Sequence, residues 1–168
     1  MKNFLKQINN NTAFSIIEVM VAIGIVSVGM MGVLSLMTRN VLTQTLNKNN
    51  LIASMLAQEG LELVREVRDT NWLIDPPVSF DDGIPATSTI DFYGFESTGQ
   101  DFSSSATDIK MDEYGFYGHT GATSTIFKRL ITVSRTNPEF INVKSTVRWS
   151  QSGKNHDYIA ETLLYDWR

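Results

Sequence analysis

From Val19 to Thr38 the chain carries twenty consecutive residues without a charge, VMVAIGIVSVGMMGVLSLMT, closed by Glu18 on one side and Arg39 on the other. As a helix rising ~1.5 Å per residue the run is about 30 Å long, the thickness of a bilayer's hydrocarbon core. A single membrane-crossing helix is the expected use. A secretory signal peptide has a shorter apolar region, no carboxylate at its head and an A-x-A-like cleavage site, which is absent after Met37. A buried core helix needs partner elements able to surround it, and the polar remainder of the chain does not supply them. In the preceding MKNFLKQINNNTA the only charges are Lys2 and Lys6. The positive-inside tendency therefore places this end in the cytoplasm and the bulk of the chain outside.

Helical character is expected to continue beyond the apolar run. No proline interrupts Leu51 to Asp69, and Ile52, Leu56, Gly60, Leu63, Val64 and Val67 recur at three- and four-residue steps, which makes one apolar stripe. Glu59, Glu62, Arg65, Glu66 and Arg68 fall largely off that stripe and are expected to face water, with Glu62 spaced to pair with Arg65 and Arg65 with Asp69. A helix unbroken from about Phe14 to Arg68 would be on the order of 80 Å long. Gly24, Gly29 and Gly32 each lower helix propensity by roughly 1 kcal/mol relative to alanine, which leaves room for bends or local melting in its first half.

Asp75-Pro76-Pro77 stops the helix. From there to Thr125 the chain is dense in Ser, Thr, Gly and Asp, the composition of loops and short strands. The pentapeptide Ala86 to Ile90 recurs as Ala122 to Ile126, which reads as local strand-edge composition and not as a repeat architecture. Strand signals then strengthen. Ile141, Val143, Val147 and Trp149 alternate with Asn142, Lys144, Thr146, Arg148 and Ser150, with Ser145 alone interrupting the apolar face. Phe127 to Arg135 precedes this strand and Tyr158 to Trp167 follows it, across turn chemistry at Gln151-Ser152-Gly153-Lys154. The fold class expected is α+β: a long N-terminal helix whose second half covers a C-terminal antiparallel sheet.

Composition excludes several kinds of chemistry. Without cysteine there is no disulfide scaffold, thiol nucleophile or zinc-thiolate site, and two histidines leave little for a metal cage. His119 and His156 lack a G-x-S-x-G elbow to complete a hydrolase triad. Gly115 to Gly121 lacks the strand-to-helix setting of a phosphate loop, and Asp81, Asp82 and Asp101 lack EF-hand spacing, so turns and solvated carboxylates are the simpler readings. No catalytic residue, metal or cofactor is expected. Residues 69 to 113 hold ten acids against Lys110, and residues 126 to 154 hold six bases against Glu139. The two stretches are expected to attract each other within or between subunits. The sharper alternative is a phosphate-binding patch for DNA at Lys144, Arg148 and nearby Trp149. A net charge of -4 and an alternation that points Trp149 to the core both weigh against it.

Glu18 sits directly against the apolar run, where an unpaired charge costs several kcal/mol, so a partner is expected. The residues around it, Thr12-Ala13-Phe14-Ser15-Ile16-Ile17-Glu18, resemble the prepilin peptidase site of type IV pilins and type II secretion pseudopilins. In that family the cut follows a small residue, the new first residue is usually Phe and is N-methylated, and Glu stands at the fifth mature position. Phe14 and Glu18 match those places. Ala13 stands where the family usually has Gly, and Ser35 where it often has Pro. The resemblance implies cleavage between Ala13 and Phe14, methylation of Phe14, and pairing of the new amine with the Glu18 of a neighbouring subunit.

On this resemblance residues 1–13 are the leader, 14–39 the transmembrane and filament-core half-helix, 40–70 the amphipathic half-helix, and 71–168 a β-rich head. Leu56 to Arg65 and the closing Leu163 to Trp167 look most like minor pilins. The implied protein is a non-enzymatic minor pilin or pseudopilin. Its implied partners are other such subunits, the prepilin peptidase and methyltransferase, the inner-membrane assembly platform and, before assembly, the bilayer. It would cross the inner membrane once, with its head outside, and end in a pilus or periplasmic pseudopilus. The other reading of the same residues is a single-span anchored extracytoplasmic binding protein that does not assemble.

Overall fold

The computed structural model of the protein describes residues 14–76, 78–91 and 94–167. One helix, α1 (Ile16–Leu73), precedes seven strands: β1 (Thr87–Asp91), β2 (Gly94–Thr98), β3 (Asp108–Met111), β4 (Tyr117–Gly118), β5 (Thr123–Asn137), β6 (Phe140–Gln151) and β7 (Lys154–Tyr165). A short 3-10 turn, Ser105–Thr107, leads into β3. The chain divides into two compact units between Thr45 and Leu46, and α1 contributes to both.

In the first unit every described residue, 14–45, is exposed. Gly24, Gly29 and Gly32 do not interrupt α1, which also runs through Ser35. Two of the three hydroxyls within the apolar run are satisfied inside the helix itself: Ser27 Oγ donates to Ile23 O and Thr38 Oγ1 to Leu34 O, each at 2.7 Å. Back-bonding of this kind removes the cost of carrying a hydroxyl into an apolar medium.

In the second unit all seven strands form one antiparallel sheet organised around β5. One edge of β5 pairs along its length with β6, from Phe127↔Trp149 to Asn137↔Phe140. Its other edge is shared, with β3 at one end (Asp108↔Lys128, Met111↔Thr123) and β1 at the other (Thr87↔Thr132). The expected meander is β5-β6-β7. Its last hairpin turns on Ser152 and Gly153, with φ of 53° and 74°, the two left-handed residues that a two-residue turn of this twist requires. The alternation read on β6 is met at every position, with Ile141, Val143, Ser145, Val147 and Trp149 all buried.

The helix covers that face along a line rotated from the one expected. Leu56, Gly60 and Val64 of the expected stripe are buried, joined by Ala53, Ala57 and Leu61 and, towards the two ends, by Asn49, Asn71 and Trp72, whereas Ile52, Leu63 and Val67 flank them half-buried. Size contributes: Ala53, Ala57 and Gly60 let the backbone of α1 come close to the sheet, and the stripe of larger side chains passes over the two alanines. Gly60 marks the closest approach. A Cβ placed there would lie 2.7 Å from Ser145 Oγ and 3.0 Å from Ile131 Cδ1, so the one small residue on the inner face of β6 sits opposite the one glycine of this stretch of helix. Two apolar clusters flank the crossing, Ala53, Leu56 and Ala57 on Ile109, Phe127, Val147 and Trp149, then Leu61 and Val64 on Ile90, Ile131, Ile141 and Val143.

Beside Gly60 lies Arg129, fully buried on an inward position of β5. Its Nη1 donates to Leu56 O at 3.0 Å and to Glu59 Oε1 at 3.1 Å, and its Nη2 donates to Ile90 O at 2.6 Å. A buried guanidinium is tolerated when it is paired and hydrogen-bonded in this way. Glu59, expected to face water alone, therefore ties α1 to β5. Its neighbours behave as their spacing suggests in part: Arg65 pairs with Glu62, while Asp69 is taken by Arg68 and not by Arg65.

The rotation of the stripe is testable in a fragment beginning at Leu46. Val64→Asp, at a fully buried position, is expected to cost about 3 kcal/mol or more, and Leu63→Asp at the half-buried flank clearly less. Urea unfolding of the two variants decides the point; a larger loss for Leu63→Asp would contradict the packing.

Candidate functional site: the head of the apolar helix

The first turn of α1 is built by Ser15. Its carbonyl accepts the backbone N–H of Glu18 at 3.0 Å and of Val19 at 3.2 Å. Ser15 thus stands at the N-cap position and Glu18 three residues in, the S-x-x-E spacing of a capping box, a local signal separate from the processing motif. A carboxylate in the first turn also faces the positive end of the helix dipole. Phe14, immediately before the cap, is 77% exposed. Ala13 and the other residues of the expected leader, 1–13, lie outside the described residues.

Past Glu18 the surface is continuously apolar. Thirteen large apolar side chains from Val19 to Met37 are exposed, and around Gly24, Gly29 and Gly32 there is open space within 4 Å of an added Cβ. Among the described residues α1 is the one helix long and apolar enough to cross a membrane.

The two basic residues considered for nucleic-acid contact lie on the outer face of β6, and each meets a carboxylate of β7. Arg148 holds Asp157 through two bonds, Nε to Oδ1 and Nη2 to Oδ2, both 2.7 Å, and its guanidinium lies 4.3 Å over the Phe102 ring. Hydrogen bonding from Arg148 holds the Asp157 carboxyl below its ordinary value and Asp157 in turn raises Arg148. Lys144 is 3.9 Å from Glu161, which also accepts from Asn142. Trp149 is turned inward and 2% exposed. The expected attraction between the acidic and basic stretches is realised at Lys128 with Asp108 (2.6 Å) and Arg135 with Asp81 (2.8 Å), while Lys144 and Arg148 pair with β7. The two histidines are apart in role as in sequence: His119 is buried with Nδ1 3.2 Å from Asp108 O, and His156 stacks on Trp149 at 5.3 Å.

The family model for the prokaryotic N-terminal methylation motif matches residues 8–34. The chain carries a prepilin motif, that of type IV pilins and pseudopilins. Comparison with curated proteins and with solved structures gave no match. The matched stretch contains Ala13, Phe14, Glu18 and most of the apolar run. It supports a type IV pilin-like precursor that prepilin peptidase processes and that is anchored by one apolar helix, with the character of a structural subunit and not of an enzyme.

The ion pairs of the second unit are expected to set its acid limb. Arg135 holds Asp81 below its ordinary 3.8 as Arg148 holds Asp157. For a carboxylate with a depressed folded value the stabilisation is fully present above the unfolded value and is lost as pH falls through the folded one. The urea midpoint is therefore expected to hold from about pH 7 to about pH 5 and to fall below about pH 4. Arg148→Gln should lower the midpoint at neutral pH by up to about 1 kcal/mol equivalent, with the difference from the parent shrinking in acid. A difference that stayed constant with pH would assign the loss to packing on Phe102.

Proposed function

We propose that the chain is a non-enzymatic minor pilin or pseudopilin subunit, cut between Ala13 and Phe14, methylated on Phe14, and assembled through the first half of α1. The observation that supports this most is the uncovered apolar helix surface, 14–45, headed by a matched prepilin motif with a carboxylate at its edge. Cleavage would create an α-amino cation on Phe14, just ahead of the positive end of the α1 dipole. That position is unfavourable for a cation by itself. Glu18 supplies the counter-charge, from the same chain or from a neighbour, as the helix leaves lipid for a filament core of low dielectric.

In this reading Lys2 and Lys6 hold the precursor's leader on the cytoplasmic side of the inner membrane and the head lies outside. The partners are the peptidase and methyltransferase, the assembly platform, other pilin-like subunits and, before extraction, the bilayer. Assembly replaces lipid contacts of Val19 to Thr38 by helix–helix contacts, and the β-rich head, 71–168, stays outside the core. DNA binding by Lys144 and Arg148 draws no support from side chains already engaged by Glu161 and Asp157.

Glu18→Gln tests the charge pair. Glutamine keeps the S-x-x-E/Q cap, so the helix start survives, and removal of a charge beside the apolar run can only ease insertion. The expected variant is processed and membrane-retained yet missing from sheared filaments, or unable to support their initiation. Recovery of Glu18→Gln in filaments at the parental level, under matched expression, would contradict the charge-pair mechanism. Normal insertion of the unaltered chain with no incorporation into any filament would favour the anchored binding protein.

A further inference from the structure

The C-terminal end of α1 and the last residues of the chain enclose an open cavity of about 270 Å³ lined by Arg68, Asp69, Trp72, Leu73 and Trp167. It lies wholly within the second unit, so it stands independently of how the apolar half-helix assembles. Its walls are two indoles meeting edge to face, centroids 4.5 Å apart and planes at 65°. Trp72 is buried, whereas Trp167 is 69% exposed and offers its ring to the cavity. An indole left this exposed at a concave site has a large apolar face available to a flat ligand.

The polar rim decides what kind of ligand. The Arg68 guanidinium lies 4.6 Å over the Trp72 ring, so that π-face already holds a cation and does not serve as a cage for an organic ammonium. Arg68 Nε and Nη2 both reach Asp69 Oδ1, at 2.9 and 2.8 Å, so the rim carries no net charge to draw in a phosphate or another ion. Among the described lining residues that pair is the only charge, and it leaves Asp69 Oδ2 as an acceptor beside guanidinium N–H donors. A vicinal diol both donates and accepts over that span, and the volume is at the small end for a ligand pocket, enough for one sugar ring. We propose that this cavity is a carbohydrate subsite, taking a neutral pyranose stacked on Trp167 with adjacent hydroxyls on Asp69 Oδ2 and Arg68.

The test uses the full chain in micelles of a detergent without a sugar headgroup. The three tryptophans give three indole N–H signals, and Trp149, buried in the other apolar cluster, is an internal control for the fold. The probes are the methyl glycosides of glucose, galactose and mannose and N-acetylglucosamine, with choline and inorganic phosphate as charged comparisons. Saturable movement of the Trp167 and Trp72 signals is expected with at least one sugar, at about millimolar affinity, with Trp149 unmoved and neither charged probe active. Trp167→Ala should weaken that binding by on the order of tenfold, and Asp69→Asn several-fold, with the Trp149 signal in its parental position. Silence of Trp167 towards all four sugars would overturn the proposal. So would an equal response to choline or phosphate, or sugar binding undiminished by Trp167→Ala, since each assigns the exposed indole to another partner.

Discussion

An apolar surface has to be found for Val19 to Thr38, because none of the described residues covers it. Burying a large aliphatic side chain is worth about 2 kcal/mol, and thirteen such side chains of the run are exposed. Their sum is tens of kcal/mol, more than the ~5–15 kcal/mol that holds a typical domain folded. Whatever covers this helix therefore governs where the protein resides and with what it associates. A bilayer and a bundle of like helices both meet the need, and a subunit that passes from one to the other exchanges covers of similar polarity. The exchange leaves electrostatics at the helix head as the term that differs between the two environments, which is why Glu18 and the amine expected on Phe14 carry so much of the account.

The second unit solves a different problem with the same helix. There α1 must lie close on a sheet whose inner face is already dense with Val, Ile and Trp, and closeness comes from Ala53, Ala57 and Gly60 opposite Ser145. Arg129 then converts proximity into attachment, bonding at once to the helix backbone at Leu56, to Glu59 and to β1 at Ile90. Removing one partner of a buried charge of this sort typically costs several kcal/mol, so the crossing is expected to resist sliding of helix on sheet. That resistance is what a head carried on a helix that is itself held in an assembly would need.

Where the physics was local, the sequence was legible. The uncharged run, the halt at Asp75-Pro76, the period-two alternation of β6 and the Ser152-Gly153 turn each announced their structure. So did the covering of the sheet by the second half of α1, because only one free apolar face was available. Legibility failed where position depended on a partner distant in the chain. Of the expected stripe Leu56, Gly60 and Val64 are buried, while Ile52, Leu63 and Val67 lie half-buried beside Ala53, Ala57 and Leu61, whose burial depends on the sheet they meet. Arg129, one of the six bases of residues 126 to 154, shares the inward phase of Phe127 and Ile131, and its burial depends on partners at Leu56, Glu59 and Ile90. The division of one edge of β5 between β1 and β3 has no signature in either strand alone. The pairing of Lys144 and Arg148 across to β7 follows from hairpin register, which the turn at Ser152 and Gly153 could have supplied. At the helix head the motif drew attention to Phe14 and Glu18 as processing residues, and the capping relation of Ser15 to Glu18 went unnoticed beside it.

The most direct measurement is the mass of the mature N-terminal peptide, taken from protein isolated from cells with an active prepilin peptidase. The account predicts a chain that begins at Phe14 and bears a methyl group on its α-amine. A chain that retains residues 1–13, or one cut at any other bond, would contradict it.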